Sequence, residues 1–187
     1  NNSDFTSYLT TAKNEGADVI FAPTSISYAQ LIVEQAAAQG IDMPLLASDT
    51  WDSNVILGAA KGKDVNVYVT TFYAEGGNAE FEKGFKEWIK SDSTNLSNNG
   101  GNDIISAVSV MGYDAYYTAL EALKAAGTTN PQDVMAALPG VKYTGITGEI
   151  SFNEEGDANR DSAFVKTANT ESGLWDFVTV QGIDGAQ

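Results

Sequence analysis

Residues 17–51, ADVIFAPTSISYAQLIVEQAAAQGIDMPLLASDTW, hold two short apolar runs separated by one helical stretch. The first run, residues 17–22, carries the β-branched Val19 and Ile20 and has the composition of a strand buried on both faces. Pro23, Thr24 and Ser25 turn the chain, residues 27–39 read as a helix closed by Gly40, and residues 43–47 form a second buried strand. Upstream, residues 4–15 read as an amphipathic helix. Phe5, Tyr8, Leu9 and Ala12 lie at helical spacing, Asp4 or Ser3 is placed to cap it, and Gly16 stops it. Downstream, residues 52–60 read as a short helix and residues 64–72, DVNVYVTTF, as a third strand. Helix and strand alternating in this way predict right-handed crossovers and a parallel sheet.

The pattern then changes. Residues 79–90 form a helix with Phe81, Phe85, Trp88 and Ile89 on one face, and the Ser-, Asn- and Gly-rich residues 91–102 read as an exposed loop. A long helix covers residues 104–126, and its stripe of Tyr113, Tyr116, Tyr117, Leu120 and Leu123 is expected to face the core. A short helix with proline in its first turn covers residues 131–138. Residues 148–153 and 163–167 read as strands around a solvated hairpin turn at 154–161, and residues 174–180 as a last strand. The break at residues 70–77 marks the expected hinge, with Phe72 and Tyr73 as candidates to line a cleft. A doubly wound domain normally opens with a strand, whereas this chain opens with a helix. The expectation is therefore a C-terminal fragment.

Ten basic residues against 25 acidic ones give a net charge of −15, which argues against nucleic-acid and anionic-membrane binding. Cysteine and histidine are both absent. That removes thiolate metal sites, disulfides, the usual nucleophilic triads and the commonest general base, and it disfavours an enzyme. No dinucleotide or P-loop glycine motif and no nucleophile elbow appears. Asp157, Asn159 and Asp161 begin like a calcium loop, but Ser162 and Ala168 stand where such a loop needs glycine and a bidentate glutamate. No cofactor and no metal is expected. The first residues, NNSD, carry neither the basic nor the apolar region of a signal peptide.

Two further stretches carry a family resemblance: Gly112, Tyr113, Asp114 and Ala115 at the centre of the long helix, and GEISFNEEGDANRD at residues 148–161. With the element order above, the chain resembles the C-terminal half of type 1 periplasmic binding proteins, in particular the branched-chain amino-acid group that feeds ABC transporters. The resemblance implies an α/β fold of two Rossmann-like, doubly wound lobes joined by three crossovers. Residues 1–72 would be the later part of lobe two, residues 73–162 the part returning to lobe one, and residues 163–187 the crossover back.

In that group a carboxylate after the second of these strands pairs with the ligand's α-ammonium, and Asp49 falls at that position. The placement is chemically sensible, because open parallel sheets bind ligands at the C-terminal edge of their strands and a charge-assisted hydrogen bond is about twice as strong as a neutral one. The other reading is that Asp49 or Asp52 caps the helix beginning near Ser53. With the resemblance, Asp49 is the ligand group and Asp52 the cap. Thr24 and Ser25 sit at the equivalent edge of the preceding strand. The family offers ligand groups there, often with an aromatic where Ser25 stands, while the bland role for Ser25 is an N-cap. Trp51 is open to two roles, pocket wall or packing between lobes. Val108 resembles a pocket-lining position where the family often has an aromatic, or else is a core valine.

The function implied is extracytoplasmic capture of an amino-acid-like ligand by cleft closure, from a periplasmic or lipoprotein-anchored protein whose signal segment lies outside this chain. The implied partner is a membrane ABC permease. The alternative is a sensory or receptor domain of the same fold. In the family the ligand's α-carboxylate is held by lobe-one groups missing here, so this chain alone is expected to bind amino acids poorly or not at all. Isothermal calorimetry checks this, and micromolar binding of leucine would contradict it. The chain is also expected to self-associate through sheet edges that the missing strands normally cover, which a light-scattering mass of one chain at high concentration would refute.

Overall fold

The computed structural model describes residues 3–182. Helix α1 (Thr6–Asn14) leads into strand β1 (Ile20–Phe21), α2 (Ile26–Ala38), β2 (Leu45–Ala47), a 3-10 turn at Asp49–Trp51, α3 (Asn54–Ala60) and β3 (Val67–Thr71). Four helices follow: α4 (Ala79–Ser91), α5 (Ser93–Asn98), α6 (Ala107–Ala126) and α7 (Pro131–Ala137). The chain closes with β4 (Tyr143–Gly145), β5 (Gly148–Ile150), β6 (Ser162–Asn169) and β7 (Leu174–Gly182). Among the described residues no helix is long and apolar enough to cross a membrane. Residues 1–2 of the first expected segment and 183–187 of the last lie outside the described residues.

β1, β2 and β3 pair in parallel, as the alternation predicts, with Phe21 opposite Leu46 and Leu46 opposite Tyr68. The sheet is then extended by an antiparallel pair, β6 against β3 and β7 against β6, in the order β1-β2-β3-β6-β7. Leu45, Ala47, Val67 and Val69 face a core completed by Ala29, Val33 and Ala36 of α2 and Ile56, Leu57 and Ala60 of α3. Each Leu, Ile or Val side chain buried there contributes about 1.5–3 kcal/mol. Alanines on α2 and α3 keep those helices close to the sheet. The outer strands are less covered: Phe21 on β1 and Phe177, Val178 and Val180 on β7 are exposed.

A second, smaller cluster of Tyr73, Ile105, Ala107 and Val110 packs with Phe81, Phe85 and Ile146. Here α4 is anchored at its start. Asn78 accepts from the Phe81 amide at 2.9 Å, and Glu82 reaches back to the Gly76 amide at 2.7 Å and to the Tyr73 hydroxyl. Burial and the bond to Glu82 push the Tyr73 phenol well above its usual value. Burial opposes the charged Glu82 carboxylate, but hydrogen bonds from Tyr73, Gly76 and Asn78 outweigh it and hold the acid below its usual range.

Three expectations need correction. The loop at 91–102 contains α5. Its polar residues serve as caps: Asp92 accepts from the Thr94 amide at 2.6 Å, and the Asn99 side chain donates to the carbonyls of Asn102 and Ile104. The tyrosine stripe of α6 is not its buried face. Tyr113 and Tyr116 are exposed, and Ala107, Val110, Asp114, Thr118 and Ala122 are buried instead. Residues 148–153 do not form a hairpin with 163–167, because β5 pairs with β4, a strand absent from the sequence reading, and β6 belongs to the main sheet.

Asp114 explains the second and third. Its buried carboxylate accepts from the amides of Ile146 and Thr147, both at 2.8 Å, and from the Thr147 hydroxyl at 2.7 Å. Those donors form the turn between β4 and β5, and Arg160 clamps the same turn from outside through Thr147. A carboxylate therefore occupies the inner face of α6, and hydrophobicity alone points to the wrong side. A Cβ built on Gly145 would fall inside that carboxylate, whereas one on Gly140 would meet nothing. Gly145→Ala is expected to cost at least about 2 kcal/mol of stability, in the range of forced overpacking, with Gly140→Ala near neutral. Urea unfolding of the two variants measures the difference.

Candidate functional site

The parallel register sets two loops side by side. Phe21 lies opposite Leu46, so the Pro23-Thr24-Ser25 turn and the Ser48-Asp49 stretch leave the C-terminal edge of β1 and β2 at the same level. A backbone bond from Ala22 to Leu46 extends the pairing one step further, and Thr24 then folds back on the Ala22 carbonyl at 2.8 Å. This is the edge at which open α/β sheets present ligand groups.

Thr24 is the junction between the loops. Its carbonyl accepts from the Thr50 hydroxyl and from the Trp51 indole, each at 3.1 Å. Its own hydroxyl is buried and has no partner among the described residues. An unmade bond of that kind costs about 1–3 kcal/mol, which a ligand group placed there would recover. Ser25 occupies the N-cap position of α2 with extended backbone but makes no capping bond; its exposed hydroxyl lies 3.3 Å from that of Ser27.

Asp49 opens the 3-10 turn and is half-buried. Its carboxylate takes no hydrogen bond or ion pair from the described residues. It does not cap α3, and neither does Asp52: Ser53 holds that cap position without a side-chain bond. Asp52 is instead fully buried, with both carboxylate oxygens 2.8 Å from the Lys166 ammonium and one of them 2.9 Å from the Thr71 hydroxyl. The expected capping role of Asp52 is corrected accordingly. A charge withdrawn from water requires such partners, and Lys166 supplies one from β6.

Trp51 is completely buried in the sheet core and presents no surface to the groove; it reaches the site through the Thr24 carbonyl. Val108 is exposed at 58% on the first turn of α6, so it is not a core valine. Two residues before it, Ser106 caps α6 and donates to the Asp52 carbonyl at 3.1 Å, which draws the start of α6 toward the same edge. Of the two cleft candidates, Tyr73 is buried in the second cluster, while Phe72 is half-buried beneath the Arg160 guanidinium, 5.5 Å from its ring centre.

The sequence reading missed Thr50, Asp52 in its paired role, Ser106 and Lys166. Lys166 alone left a signal, as a lone cation within the apolar run AFVKTA. Among the described residues no group of three or more Asp or Glu side chains is placed to hold a metal. The arrangement sets at one edge of the sheet a half-buried carboxylate and a buried hydroxyl, both without a partner among the described residues, and the start of α6 tied there by Ser106. These groups can bind and orient a small polar molecule.

Comparison with known proteins bears on the fold and the family. A homologue of the Leu/Ile/Val-binding protein from Brucella abortus (strain 2308) is 27% identical over 155 residues, which is 82% of this chain and 39% of the relative. A leucine-binding protein from Thermotoga maritima MSB8 superposes with a TM-score of 0.74 at 25% identity, covering 98% of this chain and 50% of that one. A solute-binding protein of an ABC transporter from R. palustris, solved with benzoate, has a TM-score of 0.73 at 16% identity, covers 98% of this chain and 49% of that one, and shows the fold alone. The chain thus spans well under two thirds of the length of these relatives. The fold is the mixed α/β architecture of type 1 periplasmic binding proteins. The sequence profile described as periplasmic binding protein matches residues 1–172, and the chain belongs to that family.

Proposed function

We propose that this chain supplies one side of the ligand cleft in an extracytoplasmic solute-binding protein for amino acids of the branched-chain class, working with an ABC permease. The observation that carries this reading is the Asp49 carboxylate, held at the C-terminal edge of the parallel strands without a partner among the described residues. A half-buried carboxylate gains most from an ammonium brought to it, and an α-amino acid carries one. The Thr24 and Ser25 hydroxyls stand on the neighbouring loop to accept or donate alongside. Val108, exposed on α6, would meet the guest from the other side of the cleft, and Trp51 would act behind the lip by holding Thr24.

In this reading residues 1–72 and 163–187 belong to lobe two and residues 73–162 to lobe one, consistent with the two separate apolar clusters. The ligand bridges the lobes and shifts a hinge equilibrium by its greater affinity for the closed form. No bond is made or broken, in keeping with a family of binding proteins. The uncovered faces of β1 and β7 support self-association of the chain on its own.

An aromatic acid such as benzoate, the ligand of the R. palustris neighbour, offers no cation and would bring its own carboxylate toward Asp49. Like charges in a closing cleft repel, so the chemistry of this edge favours an amino acid. Asp49→Asn keeps the shape and removes the charge. In the complete protein it is expected to weaken amino-acid binding by about 30-fold or more, the 2 kcal/mol at the low end for losing one partner of a buried charge pair. Calorimetric titration with leucine, isoleucine and valine measures it, and an unchanged affinity would overturn the assignment.

A further inference from the structure

We infer that Asp52 and Lys166 are positioning residues for the ligand edge, fixing the turn that carries Asp49 against the returning strand β6. Within residues 48–53 the backbone–backbone bonds are local, and the Ser53 carbonyl accepts from the Leu57 amide of α3. Trp51 donates to Ser48, Asp52 to Asp49, and Ser53 to Trp51. No ladder ties this stretch to the sheet, so side chains and one carbonyl must hold it. On one side Thr50 and Trp51 grip the Thr24 carbonyl. On the other, the Asp52 carboxylate is gripped by Lys166 and Thr71 and the Asp52 carbonyl by Ser106.

The partners of Asp52 come from three places far apart in sequence: the end of β3, the start of α6 and the middle of β6. Lys166 is separated from Asp52 by 114 positions, and the two side chains are only 5% and 1% exposed. The Lys166 ammonium also sits 5.6 Å from the centre of the Trp175 ring. A buried ion pair is a poor source of net stability, since apolar residues of similar volume often do as well or better. What it supplies is direction. A carboxylate pinned through both oxygens cannot rotate, and Asp49 sits one 3-10 turn away from it.

This inference rests on the proposed function for the ligand's part only, and the test separates the two. Asp52→Leu combined with Lys166→Met replaces the pair by apolar groups of similar volume. Hydrogen exchange is followed by mass spectrometry on the complete protein, together with thermal melting and leucine titration. The expected result is a melting temperature close to that of the wild type, exchange at least ten times faster in residues 48–53 with β2 and β3 unchanged, and leucine affinity at least tenfold weaker although Asp49 is intact. Unchanged exchange at 48–53 in the folded double variant overturns the inference whether or not leucine binds. Should the double variant not fold, the isosteric Thr71→Val removes one bond to Asp52. It is expected to speed exchange there about threefold, and no change again overturns the inference. A wild type that binds no amino acid, with exchange still accelerated in the variant, leaves the positioning role standing and removes the proposed ligand.

Discussion

The ion pair between Asp52 and Lys166 fastens the turn after β2 to the strand that returns after the helical half. Asp52 follows β2, Lys166 lies in the strand that returns after the helical half, and their charges meet where water is excluded. Separating such a pair by removing one member costs about 3–5 kcal/mol, because the remaining charge stays buried. The sheet order therefore has a chemical reason. β6 must lie beside β3 for Lys166 and Thr71 to reach the same carboxylate, and this antiparallel insertion completes an otherwise parallel sheet.

The helical half repeats the device with other groups. Asp114 is as deeply buried as Asp52, but its partners are two amides and a hydroxyl of one tight turn, with Arg160 bracing them. Each half thus contains one buried carboxylate whose bonds are complete. The Asp49 carboxylate differs in having none among the described residues. A carboxylate with full partners shapes the fold, whereas one left open at a strand edge is available to a guest. Both kinds stand within four residues of each other at Asp49 and Asp52, and the satisfied one steadies the open one.

Much of this was legible in the sequence where periodicity and burial agree. The first three strands, their intervening helices and the amphipathic α4 follow from apolar spacing, and their order implies the parallel register that levels Thr24 with Asp49. Legibility failed where polar groups do structural work. α5 was hidden because Asp92 and Asn99 look like loop residues but act as caps. The inner face of α6 was misassigned because Asp114 and Thr118 look solvated beside the tyrosines. β4, a strand of three residues, has too little pattern to register, and the turn that pairs it with β5 is held by a carboxylate 32 positions away. Asp52 resembled a helix cap because its partner lies in a distant strand, and no local rule connects the two.

The central claim is that the open carboxylate at the sheet edge selects a cationic nitrogen. The most direct measurement compares, in the complete protein, the affinity for leucine with that for 4-methylpentanoate, the same molecule without its amine. The account predicts that leucine binds at least about a hundredfold more tightly, the roughly 2.7 kcal/mol expected for a charge-assisted pair. Equal affinity for the two, or preference for the acid without nitrogen, would contradict it.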